Sequence, residues 1–543
     1  MSGAVIENLS TRKLCFMLAS LLAAAIVFFL VGGLISPEPS SSMSFLMTKC
    51  EDRALKNDWL YLRPKMNCKP LHFETYVPQP GGNLRDVVFV AQMPHVRGGI
   101  TLEYSPWFQF LLGLLDIDIE YDPDRHLAEN ALLQLEVRLG YRTHDDPPTT
   151  WHELISTTVT RRLDCSIAED KKEPNAAYNC SVMDLFELGS NAYPFYLINI
   201  RLPVNEEQCM KDPSGPNCAI GRLKDLSIIE IHQNGGFTKI WLAMKTLLTP
   251  FVLAATIWYW SRIRQLTRQP YLLEKAIFAL GVSLASLDFP LEWLSLWFRL
   301  PFMLLVCDLR QGLFYAMLFS FWLIFTGEHL IEDSSRNSLI AYWRHLAFVV
   351  VASLCLLVYD MCERGIQLSN PFYSIWSTSV GTNLAYAIIY VASLCALLYF
   401  VFLVYKVGRV WSTIKRKRAA ALQMNRNRRL KFEMIIYRFK FLMALTVVCA
   451  GFTIASYIMK QYGESQMHSD EFMESPLVNS TSAFFTGTFG LWNIYVILLL
   501  AMYAPSHKQY AGAVRVDDDD DDLGEPTATE QSVLATFVKP AVD

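Results

Sequence analysis

The feature that most constrains this chain is an isolated apolar span, Leu14–Ile35, separated by some two hundred residues from seven further apolar runs. Those runs are Ile240–Trp260, Leu272–Phe289, Met303–Phe325, Leu346–Tyr359, Thr382–Val404, Phe439–Ile458 and Ala483–Met502. Most are near the ~20 apolar residues that cross a bilayer. Pro290 closes the third run, and Leu291–Leu300 reads as an interfacial stretch or a helical extension. Charged residues make up 18% of the chain and hydrophobic ones 52%, against about a quarter charged in soluble domains. The apolar core of the first span exceeds the ~7–15 residues of a signal peptide, and Ser36–Ser42 offers no clear cleavage site, so an uncleaved anchor is expected.

Lys and Arg orient the chain. Arg12 and Lys13 precede the first span, Arg262, Arg264 and Arg268 follow the second, and the link Lys406–Lys431 is strongly basic. The link Gln461–Ser482 has neither Lys nor Arg. Eight crossings then put both termini in the cytosol and the large segment in the lumen. The expected divisions are a cytosolic N-terminus 1–13, an anchor 14–35, a luminal domain 36–239, a seven-span bundle 240–504 and an acidic cytosolic tail 505–543. The tail carries the run Asp517–Asp522. Like-charge runs are usually solvated and disordered; a sorting signal is the sharper reading.

Six of the twelve cysteines lie in the luminal segment, where oxidation favours disulfides. They fall into three close couples: Cys50 with Cys68, Cys165 with Cys180, and Cys209 with Cys218. Asn179 and Asn479 head glycosylation sequons on the same side, whereas Asn8 lies in the cytosol on this topology. Period-two alternation over Leu133–Tyr141, Ile117–Tyr121 and Tyr196–Leu202 signals half-buried strands, hence an antiparallel β-sandwich. Asn234-Gly235 reads as a tight turn.

No HExxH, GxSxG or GxxxxGK[ST] pattern occurs, so no catalytic residue, metal site or cofactor is assigned. Charges at membrane depth are costly and mark sites to inspect: Asp288 and Glu292 around Pro290, Asp308 and Arg310, and the group Asp360, Glu363 and Arg364. They form either the polar mouth of an apolar cavity or a buried ion-pair network that fixes helix packing. Phe314, Tyr315, Phe319 and Phe321, with Phe372, Tyr373 and Trp376, either line an acyl pocket or belong to an interfacial aromatic belt.

Several strings resemble the Wntless (Evenness interrupted) family: Asp360–Trp376 (DMCERGIQLSNPFYSIW), Ser105–Phe110 (SPWFQF), Arg201–Asn205 (RLPVN), His232–Lys239 (HQNGGFTK), Asp308–Met317 (DLRQGLFYAM), Arg438–Met443 (RFKFLM), Ser482–Gly487 (SAFFTG) and Tyr503–Lys508 (YAPSHK). The resemblance runs from Ile6 to about Tyr510. It implies a cargo receptor for palmitoleoylated Wnt proteins with eight spans, the later seven like a heptahelical receptor, and an inserted luminal β-sandwich. It further implies traffic through the endoplasmic reticulum, Golgi, plasma membrane and endosomes, with retromer and clathrin adaptors as partners alongside membrane lipids and Wnt. No nucleic acid partner and no enzymatic activity are expected. Joined to the residue reading, it nominates Phe314, Tyr315, Phe319, Asp360, Glu363, Phe372, Tyr373 and Trp376 as acyl- or Wnt-binding candidates.

Three departures mark an invertebrate-like, divergent member. Phe432–Ile435 (FEMI) stands where vertebrate relatives carry a Tyr-x-x-Leu endocytic signal, the chain ends in Val538–Asp543 (VKPAVD) without their retrieval ending, and the Cys209/Cys218 couple looks like an addition. The competing readings are a ligand-sensing heptahelical receptor, for which the basic link is compatible but unspecific, and a lipid transporter, against which stands the lack of an inverted repeat.

Overall fold

The computed structural model describes residues 11–505, apart from 53–57, 64, 72–85, 97–99, 101, 124–126, 130, 205–208, 210, 213–214, 267, 329–338, 340–341, 422–440, 442, 454 and 456–475. Asn8, the Phe432–Ile435 stretch and the acidic tail lie outside those residues.

The first helix, α1 (Thr11–Leu30), widens into a π-turn at Val31–Ile35 and hands the chain to the sandwich. One sheet orders β1 (Ser40–Leu46), β11 (Arg222–Gln233), β4 (Leu111–Glu120) and β9 (Met183–Leu188). The other orders β2 (Thr48–Glu51), β3 (Val87–Met93), β10 (Phe195–Arg201), β5 (Leu132–Arg142) and β6 (His152–Arg162). A small ribbon pairs β7 (Cys165–Ser166) with β8 (Asn179–Cys180). All these pairings are antiparallel. The alternating residues Leu133, Leu135, Val137 and Leu139 of β5 point into the core between the sheets.

Strand β10 departs from simple alternation, because Leu197 and Asn199 are buried as well as Tyr196, Ile198 and Ile200. Its outer face is covered by a satellite cluster that holds Trp59, Leu60, Trp151 and the Cys50–Cys68 disulfide. Disulfides also join Cys165 to Cys180 and Cys209 to Cys218. Closing the 15-residue separation of the second is worth about 3 kcal/mol in loop entropy.

Asn234-Gly235 makes a helix start rather than a tight turn. Asn234 Oδ1 accepts from the Gly236 amide at 2.9 Å, capping α2 (Gly235–Arg264) one residue after β11 ends. The last strand of the sandwich thus ends at Gln233, directly before the helix cap. Asn234 also donates to Ser41 Oγ at 3.2 Å, and its amide donates to the Pro39 carbonyl at 2.9 Å. Pairing of Ser40 with Gln233 therefore sets the α1 and α2 entry points side by side.

The bundle continues with α3 (Leu272–Asp288), the short α4 (Glu292–Trp297), α5 (Met303–Glu328), α6 (Trp343–Gln367), α7 (Ser379–Ala421), the segment α8 (Met443–Thr453) and α9 (Pro476–Tyr503). Among the described residues six helices are long and apolar enough to cross a membrane. The other two expected spans correspond to α3, with 17 residues, and to α8.

Pro290 explains the break between α3 and α4. It has no amide to donate, and the last carbonyls of α3 would lie unsatisfied at membrane depth. Arg310 of α5 caps them: Nε donates to Ser286 O at 2.7 Å, and Nη2 to Leu287 O at 2.9 Å and to Phe289 O. Glu292 balances the charge, 3.8 Å from Arg310 and paired with Lys245. Asp288 accepts from Asn493 at 3.3 Å. These membrane-depth charges hold helices together.

Helix α9 is the buried axis, and α1 packs on it. Thr486 Oγ1 donates to Phe28 O at 3.0 Å, and a Cβ on Gly32 would come within 2.6 Å of the Ala483 Cα. Only a glycine permits that approach. Gly32→Leu is expected to push α1 off α9 and destabilise the assembly by about 1–3 kcal/mol. Thermal unfolding of the detergent-solubilised protein checks this; an unchanged midpoint would mean that α1 is merely tethered.

Candidate functional site

The link after α6 is where bundle and sandwich interlock. Asn370 precedes Pro371, and its Oδ1 accepts from the Phe372 amide at 3.1 Å while its carbonyl accepts from the Tyr373 amide at 3.0 Å. This tight turn sends Phe372 into the sandwich core, where it is 2% exposed and meets Phe186 edge-on at 5.8 Å. The backbone is held on both sides. The Glu187 amide donates to Pro371 O at 2.9 Å, and Arg161 Nη2 donates to Phe372 O at 2.9 Å. Burial lowers the Arg161 pKa. Glu363, in the last turn of α6, accepts from the Ile375 amide at 2.6 Å and from Gln367 at 3.1 Å, and Gln367 also donates to Tyr373 O.

A charge relay runs beside this plug. Glu187 on β9 pairs with Arg364 on α6 at 3.0 Å, and Arg364 pairs with Asp308 on α5 at 3.0 Å. Burial at the seam raises the Glu187 pKa against the pull of Arg364.

Next to the relay lies a cleft of about 310 Å³, within the range of small-molecule sites. Its sandwich wall is Leu154, Ile155, Leu188 and Tyr193, and its bundle wall is Pro301, Leu304, Leu305 and Leu368. Glu187, Arg299, Arg364 and Gln367 supply the polar groups. Arg299 sits 4.8 Å over the Tyr193 ring, which stacks on Tyr141 at 3.8 Å. Tyr196 accepts from the Ala192 and Tyr193 amides at 3.2 and 3.3 Å, and burial raises its pKa. A second cavity of about 150 Å³ shares Ser190, Ala192 and Arg299 with the first. The two walls meet closely at Gly189, where a Cβ would stand 2.7 Å from Pro301 O. Apolar side chains stand beside three charged ones and beside Gln367, Ser190 and Ser369, a mixed lining that suits a ligand with both an apolar and a polar part.

Two family models cover this architecture. Residues 48–233 match the Wntless GOLD domain, and residues 234–507 match the Wntless-like transmembrane domain. A protein wntless homolog of Caenorhabditis elegans is 54% identical, with 100% of each chain covered. One from Rattus norvegicus is 44% identical over 99% of this chain and 96% of its own. Homolog A of Xenopus laevis is 44% identical over 94% and 92%. The chain belongs to the Wntless family.

The boundary between the two Wntless models, 233/234, falls on the junction of β11 with the α2 cap. Within this Wntless architecture the eight candidate residues separate into three places. Phe314 is fully buried against Trp492 at 5.2 Å; Tyr315 and Phe319 stack at 6.0 Å, and Phe319 reaches Tyr399 of α7 at 5.5 Å. Phe372 is a plug in the sandwich. Asp360 and Glu363 lie in the last turns of α6, while Tyr373 is half-buried and exposed Trp376 meets Tyr386 edge-on at 5.3 Å. None of the eight lines the two cavities. Composition and spacing missed Glu187, Tyr193 and Arg299. Arg299 had a signal, as the lone base between Lys275 and Arg310, beside the apolar Leu296–Phe298.

Phe372→Ala is expected to cost about 3–5 kcal/mol as an uncollapsed core cavity, read as a lowered unfolding midpoint. A double-mutant cycle on Glu187→Ala and Arg364→Ala is expected to return a coupling of roughly 1–2 kcal/mol; additive effects would mean that the relay does not join the two bodies.

Proposed function

We propose that this protein is the cargo receptor that binds acylated Wnt and escorts it to the cell surface. Membership of the Wntless family supports a role in Wnt secretion. The observation that carries the finer reading is the cleft of about 310 Å³ where sandwich and bundle meet, with apolar and charged side chains in its walls. A palmitoleoyl chain in water costs about 0.8 kcal/mol per exposed CH₂. A cleft with apolar walls and a polar edge shields such a chain and leaves its ester at the edge.

Helix α5 extends the site inward. Leu304, Asp308, Gln311, Tyr315 and Phe319 recur every three or four residues and so share one face. Gln311 donates to Tyr315 OH at 3.4 Å. We assign Leu304 and Leu305 to the acyl entry and the half-buried Tyr315 and Phe319, beyond the present lining of the cleft, to a deeper wall that the fully buried Phe314 backs. The segment from Asp360 and Glu363 to Phe372, Tyr373 and Trp376 braces the edge of the cleft, and the sandwich contacts the protein part of the cargo. Two linked contacts raise avidity without an irreversible grip. Both termini face the cytosol, where retromer and clathrin adaptors read the tail and basic link as the receptor cycles among endoplasmic reticulum, Golgi, plasma membrane and endosomes.

Co-purification with Wnt tests this, using normal cargo and cargo whose acylated serine is changed to alanine. Retention of the acylated form alone is expected, with Leu304→Arg lowering it at least about tenfold, near 1.4 kcal/mol. Tyr373→Ala or Asp360→Ala is expected to reduce Wnt secretion at normal surface level. Equal retention of both cargoes would move recognition to the sandwich and remove the acyl site.

A further inference from the structure

We propose that Asn179 carries an N-linked glycan whose occupancy is set by a race between glycan transfer and closure of the Cys165–Cys180 disulfide. The middle residue of the sequon Asn179-Cys180-Ser181 is itself half of that bridge. In the folded chain Asn179 is exposed and pairs with Ser166, while Cys180 pairs with Cys165. The acceptor thus sits on a surface that admits a bulky, solvated modification.

The rest of the sequon is committed. The Ser181 amide and hydroxyl both donate to the Asp164 carbonyl, at 2.8 and 3.1 Å. On the other side the Tyr178 amide donates to Ile119 O at 2.9 Å, and the Tyr178 side chain packs on the sandwich core. The transferase must draw the acceptor amide and the hydroxyl two residues on into its own site as one extended segment. Closure of the ribbon withdraws both the hydroxyl and the slack.

Each branch balances. In transfer, Asn179 Nδ2 forms a bond to C1 of an oligosaccharide linked to a polyprenyl diphosphate. The C–O bond to the diphosphate breaks, the polyprenyl diphosphate leaves with the electron pair, and Nδ2 gives up one proton. In closure, two thiols give two protons and two electrons to a luminal disulfide oxidant, which becomes a dithiol. The chain that closes first stays unmodified at Asn179.

The test is mass spectrometry of the Asn179 peptide, with and without peptide N-glycosidase, on the full chain made in a eukaryotic secretory host. Partial occupancy is expected in the wild type. Cys165→Ser keeps the sequon but removes the bridge, and the glycosylated fraction is expected to rise toward completion. A brief thiol-reductant pulse during synthesis of the wild-type chain is expected to act the same way without a substitution, and Ser181→Ala to abolish the modification. Occupancy that neither the pulse nor Cys165→Ser raises overturns the race, and no glycan in any arm overturns the site as well.

Discussion

Everything above the membrane hangs on the pairing of β1 with β11 and on the cap that follows it. The two strands feed α1 and α2 directly, so the ladder that begins at Ser40 and Gln233 fixes the spacing of two membrane entries. Asn234 ties the junction three ways, through its side-chain oxygen, its side-chain amide and its backbone. With no slack on that side, the sandwich can be rigidly placed over the bundle by one further contact.

Phe372 is that contact. A link between two membrane helices gives up an aromatic side chain to the core of another domain, and Arg161 and Glu187 fasten the backbone on either side. The relay from Glu187 through Arg364 to Asp308 spans the same seam in charge rather than in apolar area. The cleft lies between two walls that these fastenings join and that come into close contact at Gly189.

Much of this was legible in the amino-acid order. Hydropathy placed the spans because a bilayer demands long apolar runs, and period two revealed β5 because one face of it is buried, whereas β10, though it alternates in sequence, is buried on both faces. The cysteine couples of the sandwich were visible because each pair is close in sequence. What could not be read was long-range. Phe372 read as either a pocket aromatic or an interfacial one because its partner, Phe186, is far away in sequence. Arg310 read as part of either a polar mouth or a packing network, and its contact with the carbonyls that Pro290 left open is apparent only once α3 and α5 lie side by side. The cleft's sandwich wall draws on β6, β9 and the approach to β10, and no local pattern announces such a convergence.

The packing of α1 against α9 has a consequence for how the molecule is made. Phe28 and Thr486, which joins it across the α1–α9 contact, stand 458 residues apart in the chain. The glycine notch of α1 gains its partner only once residues 482–490 are in place, so this contact closes the bundle between elements far apart in sequence. Phe29 also meets Phe452 of α8 at 5.5 Å, so α1 is gripped by two helices that both come late in the sequence, and its seat is complete only when the distal part of the bundle has formed.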